Sequence, residues 1–160
     1  MIERLFTIGV YGKTEEEFFR ALTTARIDTF CDIRRRRGMR GSQYAFANAA
    51  YLQKMLAASG IAYRHSKNLA PSKELREVQS ALDAKDRVQK RKRQELGEDF
   101  KRKYAEETLA GFDSRRFAED LGPGASRVAL FCVEANPAAC HRSLLAEHLG
   151  KDWGVTVEHL

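Results

Sequence analysis

The sequence predicts an α/β fold, an open and mainly parallel five-stranded sheet with helices on both faces and a long helical insertion at about residues 72–121. Five short apolar runs alternate with segments of helical periodicity, which is typical of parallel strands joined by right-handed crossovers. The length of 160 residues and the hydrophobic content of 43% suit one domain, residues 1–160, with a substantial core. A partial (β/α) barrel is the alternative, but a full barrel needs roughly 250 residues.

The first half of the chain contains three predicted strands and two predicted helices. Thr14 and Glu17 form a capping-box pattern that opens the first helix. The second helix has Leu52 and Leu56 facing inward and ends at Gly60, which suits the position after a helix. The predicted strands are Arg4–Tyr11, Asp28–Arg34 and Ile61–His65.

The second half begins with a helical pattern from Ser72 to about Leu109. Its middle has Val88 as its only apolar residue, so we expect it to protrude into solvent or to meet a partner. A short helix follows over 114–121, and then an apolar strand from Val128. Asn136 is a good N-cap and Pro137 fits the first helical position, so the last helix should begin there, before a final strand over 155–160.

The predicted strand order is 3-2-1-4-5, with the topological switch point between strands one and four. In this arrangement the carboxyl ends of the strands meet at one crevice. The residues expected there are Gly9, Asp32, Cys132 and Glu134.

The net charge of +6 is concentrated in two segments. Residues 34–40 contain five arginines, and residues 85–103 contain nine lysines or arginines against four acids. This predicts a polyanion partner, such as nucleic acid, through Arg34–Arg40 and Lys85–Lys103. The alternative is a solvated helix face next to an arginine-rich loop.

Several protein classes are not indicated. No apolar run approaches the ~20 residues that span a bilayer, and no signal peptide is recognisable, so we expect a cytoplasmic protein without a membrane partner. The three cysteines do not make a disulfide framework. The spacing Gly9-x-x-Gly12 is too short for a dinucleotide fingerprint, and no cofactor is predicted.

Cys140, beside His141 and Arg142 near a helix N-terminus, is the predicted nucleophile, because the helix dipole and positive charge lower a thiol pKa. Asp32 and Glu134 could transfer protons, with His141 as a further catalytic candidate. The alternatives are that the cysteines simply pack in the core and that the acids pair with Arg34 and Arg142. The side chains expected to bind substrate are those of Tyr11, Arg34, Cys132 and Arg142, together with the backbone of Gly9.

An anion site is the second expectation for this region. Arg34 and Arg142 could face it, with free N–H groups of residues 138–140 at the helix start. Zinc binding by Cys132, Cys140, His141 and Glu134 is a weaker alternative. Neighbouring side chains on a helix diverge by about 100° and the ligand spacing is unusual, so no metal is predicted.

Three motifs resemble those of the family called domain of unknown function 488. They are Thr7-Ile8-Gly9, Cys31-Asp32-Ile33-Arg34 and Cys132-x-Glu134-x5-Cys140-His141-Arg142. The resemblance implies a small α/β domain whose biochemical role is unassigned. The chain departs from the family pattern at Val10-Tyr11 and at the arginine-rich loop 35–42.

Two functions follow from these patterns. The first is an enzyme that acts on nucleic acid or another phosphate-bearing substrate in the crevice. The second is a nucleic-acid-binding or adaptor module without turnover, which contacts the phosphate backbone because aromatic residues are sparse in the basic segments.

Overall fold

The computed structural model describes all of residues 1–160 and contains a five-stranded, all-parallel sheet with helices on both faces, which confirms the predicted α/β class. No helix in it combines the length and the apolar character that crossing a membrane requires. The strands are β1 (Arg4–Ile8), β2 (Thr29–Asp32), β3 (Ala62–His65), β4 (Arg127–Phe131) and β5 (Val157–His159). The helices are α1 (Glu15–Thr24), α2 (Ala49–Ala58), α3 (Lys73–Lys85), α4 (Glu98–Tyr104), α5 (Ser114–Leu121) and α6 (His141–Trp153).

The order of the sheet is β3-β2-β4-β1-β5, so the predicted order 3-2-1-4-5 is wrong in the placement of β4. β4 pairs with β1 on one side and with β2 on the other. Residues 128–131 are fully buried, which is expected of a central strand covered on both faces. β3 and β5 are partly exposed and form the two edges.

This order also moves the predicted switch point. The connections through α1 and α2 lie on one face, whereas α6 connects β4 to β5 on the other. The chain therefore leaves β2 and β4 in opposite directions. A crevice opens between the carboxyl ends of these two strands, and not between β1 and β4.

Each face of the sheet has its own hydrophobic core. Alternate residues of a strand point to opposite faces, so Phe6 and Phe131 pack with Phe18 of α1, while Leu5 and Leu130 pack on the side of α6. The predicted capping box of α1 is confirmed.

The predicted helix over 72–109 is interrupted. α3 ends at Lys85, and residues 86–97, here called the strap, contain only a short 3-10 turn over Lys90–Lys92. α4 then continues as a π-helical turn over Ala105–Leu109. Residues 84–92 are exposed, as expected for the middle of this segment. Leu96, at the end of the strap, is buried, and its N–H donates to the carbonyl of Ala138 at 3.0 Å.

Candidate functional site

A cavity of about 360 Å³ lies at the carboxyl ends of β2 and β4, between the strap, α3 and the start of α6. Asp32, Gly9 and Arg142 lie behind its wall. The predicted site residues that line it are Tyr11, Arg34, Cys132, Glu134, Cys140 and His141. Most of the predicted site is therefore gathered around one space.

Arg34 is held rigidly by Asp32. Its Nε and Nη2 donate to the two carboxylate oxygens at 2.9 and 2.8 Å, and its guanidinium lies 4.6 Å from the ring centroid of Phe131. The Tyr63 hydroxyl donates to the same carboxylate at 2.8 Å, and burial raises the pKa of Tyr63 to about 12. The Nη1 group of Arg34 is buried without a hydrogen-bond partner. Asp32 thus fixes the orientation of Arg34 through the predicted ion pair, and one donor of Arg34, its Nη1 group, stays free.

Arg142 and Gly9 brace the loop after β4. The guanidinium of Arg142, which is 1% exposed, donates to the carbonyls of Glu134 and Ala135 at 2.7 and 3.3 Å. No carboxylate pairs with it, contrary to the expected ion pair with the Glu134 side chain. A Cβ on Gly9 would lie 2.0 Å from the carbonyl oxygen of Glu134, so only glycine fits there. Neither residue reaches the cavity.

The expected row of free N–H groups at the start of the last helix is absent. Asn136 caps a 3-10 turn over Pro137–Ala139, and the N–H groups of residues 138–140 are taken up within that turn. α6 begins only at His141, and Cys140 is its N-cap with extended backbone, φ −138° and ψ 142°. Proline starts a separate turn here, so the helix begins later than predicted.

This backbone geometry brings the Cys140 thiol next to His141 and Cys132. The Cys140 Sγ lies 3.8 Å from Nδ1 of His141, and the Cys132 Sγ lies 3.6 Å from Oε2 of Glu134. All four side chains are at least nine-tenths buried, and no cysteine forms a disulfide. These residues form a compact polar cluster at one end of the cavity, called here the thiol cluster.

The two thiols of the cluster have opposite acidities. Burial acts to raise the pKa of Cys140, but hydrogen bonding from Cys132, the charge and hydrogen bond of His141 and the charge of Arg142 hold it well below the ordinary value. The hydrogen bond to Cys140, followed by burial, raises the pKa of Cys132. Burial, followed by the charge of Cys140, also raises the pKa of Glu134. The cluster therefore combines one thiol whose pKa is lowered with a second thiol and a carboxyl group whose pKa values are raised.

Cys140 should react with iodoacetamide at neutral pH faster than Cys31. The depressed pKa of Cys140 keeps its thiolate populated, whereas burial raises the pKa of Cys31 to about 12. Mass spectrometry after brief labelling of chelator-treated protein measures both rates, and the Cys140 rate should change little between neutral and mildly alkaline pH. If Cys140 were labelled at the same rate as Cys31 or more slowly, its role would be limited to packing in the core.

The strap contributes side chains that sequence reasoning assigned to polyanion binding and not to the cavity. Arg93 donates to Asp83 at 2.6 Å and to Glu134 at 3.5 Å, and its Nη2 also donates to the carbonyl of Ala139 at 3.1 Å. Lys90 Nζ lies 3.6 Å from the Glu134 carboxylate. Arg91 stacks on the ring of Tyr11 at 5.0 Å. The strap thus closes one side of the cavity, but nothing in the run Lys-Arg-Lys-Arg distinguishes Arg93 from its solvated neighbours.

Comparison with known proteins gives one match. The family model described as "Domain of unknown function DUF488" matches residues 14–149, which span both basic segments and most of the cavity wall. No curated protein and no solved structure matches the chain. The matched region covers most of the sequence and agrees with the resemblance expected from the motifs, so the chain belongs to the DUF488 family.

Proposed function

We propose that the protein is an enzyme that acts on a phosphate-bearing substrate bound in the cavity. The observation that carries this proposal is the Nη1 group of Arg34, a buried guanidinium donor without a partner on a residue that lines the cavity. A buried donor of this kind is costly unless a ligand satisfies it. Guanidinium groups are well suited to bind phosphate oxygens.

The charge around the opening of the cavity favours an anion. Arg35, Arg36 and Arg76 line the cavity, and all three side chains are exposed. The two acidic side chains of the same wall, Asp83 and Glu134, are already paired with Arg93. The field at the opening is therefore positive, which raises the local concentration of anionic substrates.

The thiol cluster supplies the chemistry of this proposal. Cys140 is the nucleophile, because its thiolate is stabilised by His141 and Arg142. Glu134 transfers the proton, since burial raises the pKa of its carboxyl group and its Oε2 lies 3.6 Å from the Cys132 Sγ. Asp32 is a positioning residue that acts through Arg34. A reactive thiolate needs a reducing compartment, so the proposal includes a cytoplasmic location.

The conservative variant Arg34→Lys tests the proposal. It keeps the charge but loses the forked geometry that Asp32 orients, so affinity for phosphate-bearing ligands should fall about tenfold or more. Calorimetric titration with inorganic phosphate, nucleoside monophosphates and short oligonucleotides measures this change. Arg35→Lys is the matched control, because the Arg35 side chain is exposed. Equal affinities in the two variants, or no binding of any ligand by the wild type, would contradict the proposal.

A nucleic-acid-binding module without turnover is the second candidate function. It is favoured by the exposed basic side chains that the strap and the end of α3 present to solvent, namely Lys85, Arg87, Lys90, Arg91 and Lys92. Arg93 is not available for such contacts, because its side chain is 10% exposed and paired with Asp83 and Glu134.

Binding to duplex DNA through this surface should weaken steeply with salt. About four to six phosphate contacts give a log–log slope near −4 to −5, and removing two contacts with Lys85→Ala and Lys92→Ala should flatten the slope by about 1.8. Fluorescence titrations at several salt concentrations measure the slope. The control is the pair Arg115→Ala and Arg116→Ala on α5, which are exposed but lie outside the basic segments. An unchanged slope in the variant with Lys85→Ala and Lys92→Ala would show that these two residues belong only to a solvated surface.

A further inference from the structure

The thiol cluster contains three side chains whose donor atoms suit a metal ion. Cys132, Cys140 and His141 each offer one atom, and these atoms lie within 4.8 Å of one another. All three residues are buried, with exposures of 7%, 2% and 7%. Two thiolates and an imidazole are ligands that zinc prefers.

We propose that Cys132, Cys140 and His141 bind a Zn²⁺ ion at the wall of the cavity. Zn–S bonds of about 2.3 Å and Zn–N bonds of about 2.0–2.1 Å place the donor atoms of a tetrahedral site about 3.5–3.8 Å apart. The Cys140 Sγ and His141 Nδ1 are already 3.8 Å apart. Small side-chain rotations bring the third donor atom from within 4.8 Å into range.

The backbone around Cys140 removes the objection to zinc that sequence reasoning raised. Adjacent side chains diverge by about 100° only where both residues are helical. Cys140 is the extended N-cap and His141 is the first residue of α6, so their side chains converge. The turn over Pro137–Ala139 sets this geometry, since it delays the start of the helix.

Neither ring nitrogen of His141 is engaged by a group outside the thiol cluster, so either nitrogen is available to the ion. His141 lines the cavity, and its Nε2 is buried without a hydrogen-bond partner. Its ring contacts Tyr104, whose hydroxyl already donates to the carbonyl of Leu69, so the protein offers that nitrogen nothing polar. When the ion binds, the Cys132 proton can pass to Glu134, whose Oε2 lies 3.6 Å away. The three protein ligands leave the fourth position of the ion open to the cavity.

The inference rests on the proposed function in one respect. The ion would occupy the Cys140 thiolate that serves there as the nucleophile, so zinc binding and turnover exclude each other. Zinc is then a reversible inhibitor of the enzyme, and its release exposes the thiolate.

The test is a titration of the metal-free protein with Co²⁺, followed by displacement with Zn²⁺. We expect one ion per chain, with the sulfur-to-cobalt charge-transfer absorption that thiolate ligands produce. The Cys132→Ser variant should lose about tenfold or more in affinity, a loss that even an outer hydrogen-bond partner of a metal site can cause. Cys31→Ser is the matched control, because Cys31 contacts Ser66 and lies outside the cluster.

Labelling of Cys140 separates this inference from the proposed function. Saturating Zn²⁺ should slow its reaction with iodoacetamide by about tenfold or more, since a coordinated thiolate is a poor nucleophile. A wild-type titration without stoichiometric thiolate binding would overturn the inference, even if Cys132→Ser failed to fold. The proposed function would still stand if phosphate binding remained sensitive to Arg34→Lys. Turnover that rises with zinc content would overturn the inhibitory role.

Discussion

Replacing Cys140 with serine should lower turnover of a phosphate-bearing substrate by about 10³-fold or more, as the loss of a nucleophile does in other enzymes. Serine is nearly isosteric, but its hydroxyl stays protonated where the Cys140 thiol ionises next to His141 and Arg142. The measurement is the rate of product release from a panel of phosphomonoesters, nucleotides and oligonucleotides, with metal-free protein.

Cys31→Ser is the control for this prediction. Cys31 is fully buried, and burial raises its pKa to about 12, so its replacement should leave the rate unchanged. Wild-type turnover that survives in Cys140→Ser would remove Cys140 from the chemistry and leave Arg34 and Glu134 as the candidates.

Arg142→Met should reduce the free energy of unfolding by about 2–4 kcal/mol. The substitution keeps much of the buried volume but removes the donors that satisfy the carbonyls of Glu134 and Ala135. The Glu134 carbonyl would then face the interior without a partner. Methionine carries no charge, so the variant no longer buries a guanidinium group that lacks a carboxylate partner. This gain offsets part of the loss, so the expected change in the free energy of unfolding is smaller than for breaking a buried ion pair.

Urea denaturation followed by circular dichroism measures this change. Arg102→Met is the matched control, because Arg102 is exposed and its pairs with Asp99 and Glu106 lie on the surface, where each contributes under about 1 kcal/mol. Equal midpoints and slopes for the two variants would show that Arg142 does not brace the loop after β4.

Local sequence patterns predicted much of the fold. The five strands, the capping box at Thr14 and the placement of Cys132 and Glu134 after β4 depend on residues close together in the chain. Such signals predict an element from its own periodicity and caps. They also predicted that the candidate residues would gather at one edge of the sheet, where the ends of parallel strands meet, and six of their side chains line one cavity.

Long-range pairing could not be predicted in the same way. β4 lies between β1 and β2, and its buried run suits a central strand. β1 is also mostly buried and shows the same pattern, so burial alone does not place β4 between β1 and β2. The role of Arg93 in the strap could not be predicted either. In the sequence it resembles its solvated basic neighbours, and only the structure shows that Asp83 and Glu134 lie beside it. Pro137 fits either a helix start or a separate turn, and that choice decided whether Cys140 and His141 diverge or converge.

The rate of Cys140 alkylation as a function of phosphate concentration tests the central claim most directly, that the reactive thiol and the Arg34 anchor belong to one anion-binding cavity. At constant ionic strength, set with chloride, the rate in metal-free wild-type protein should fall as phosphate fills the cavity. In Arg34→Lys the rate should stay nearly flat over the same range. A wild-type rate that is insensitive to phosphate, or equal protection in both proteins, would contradict the claim.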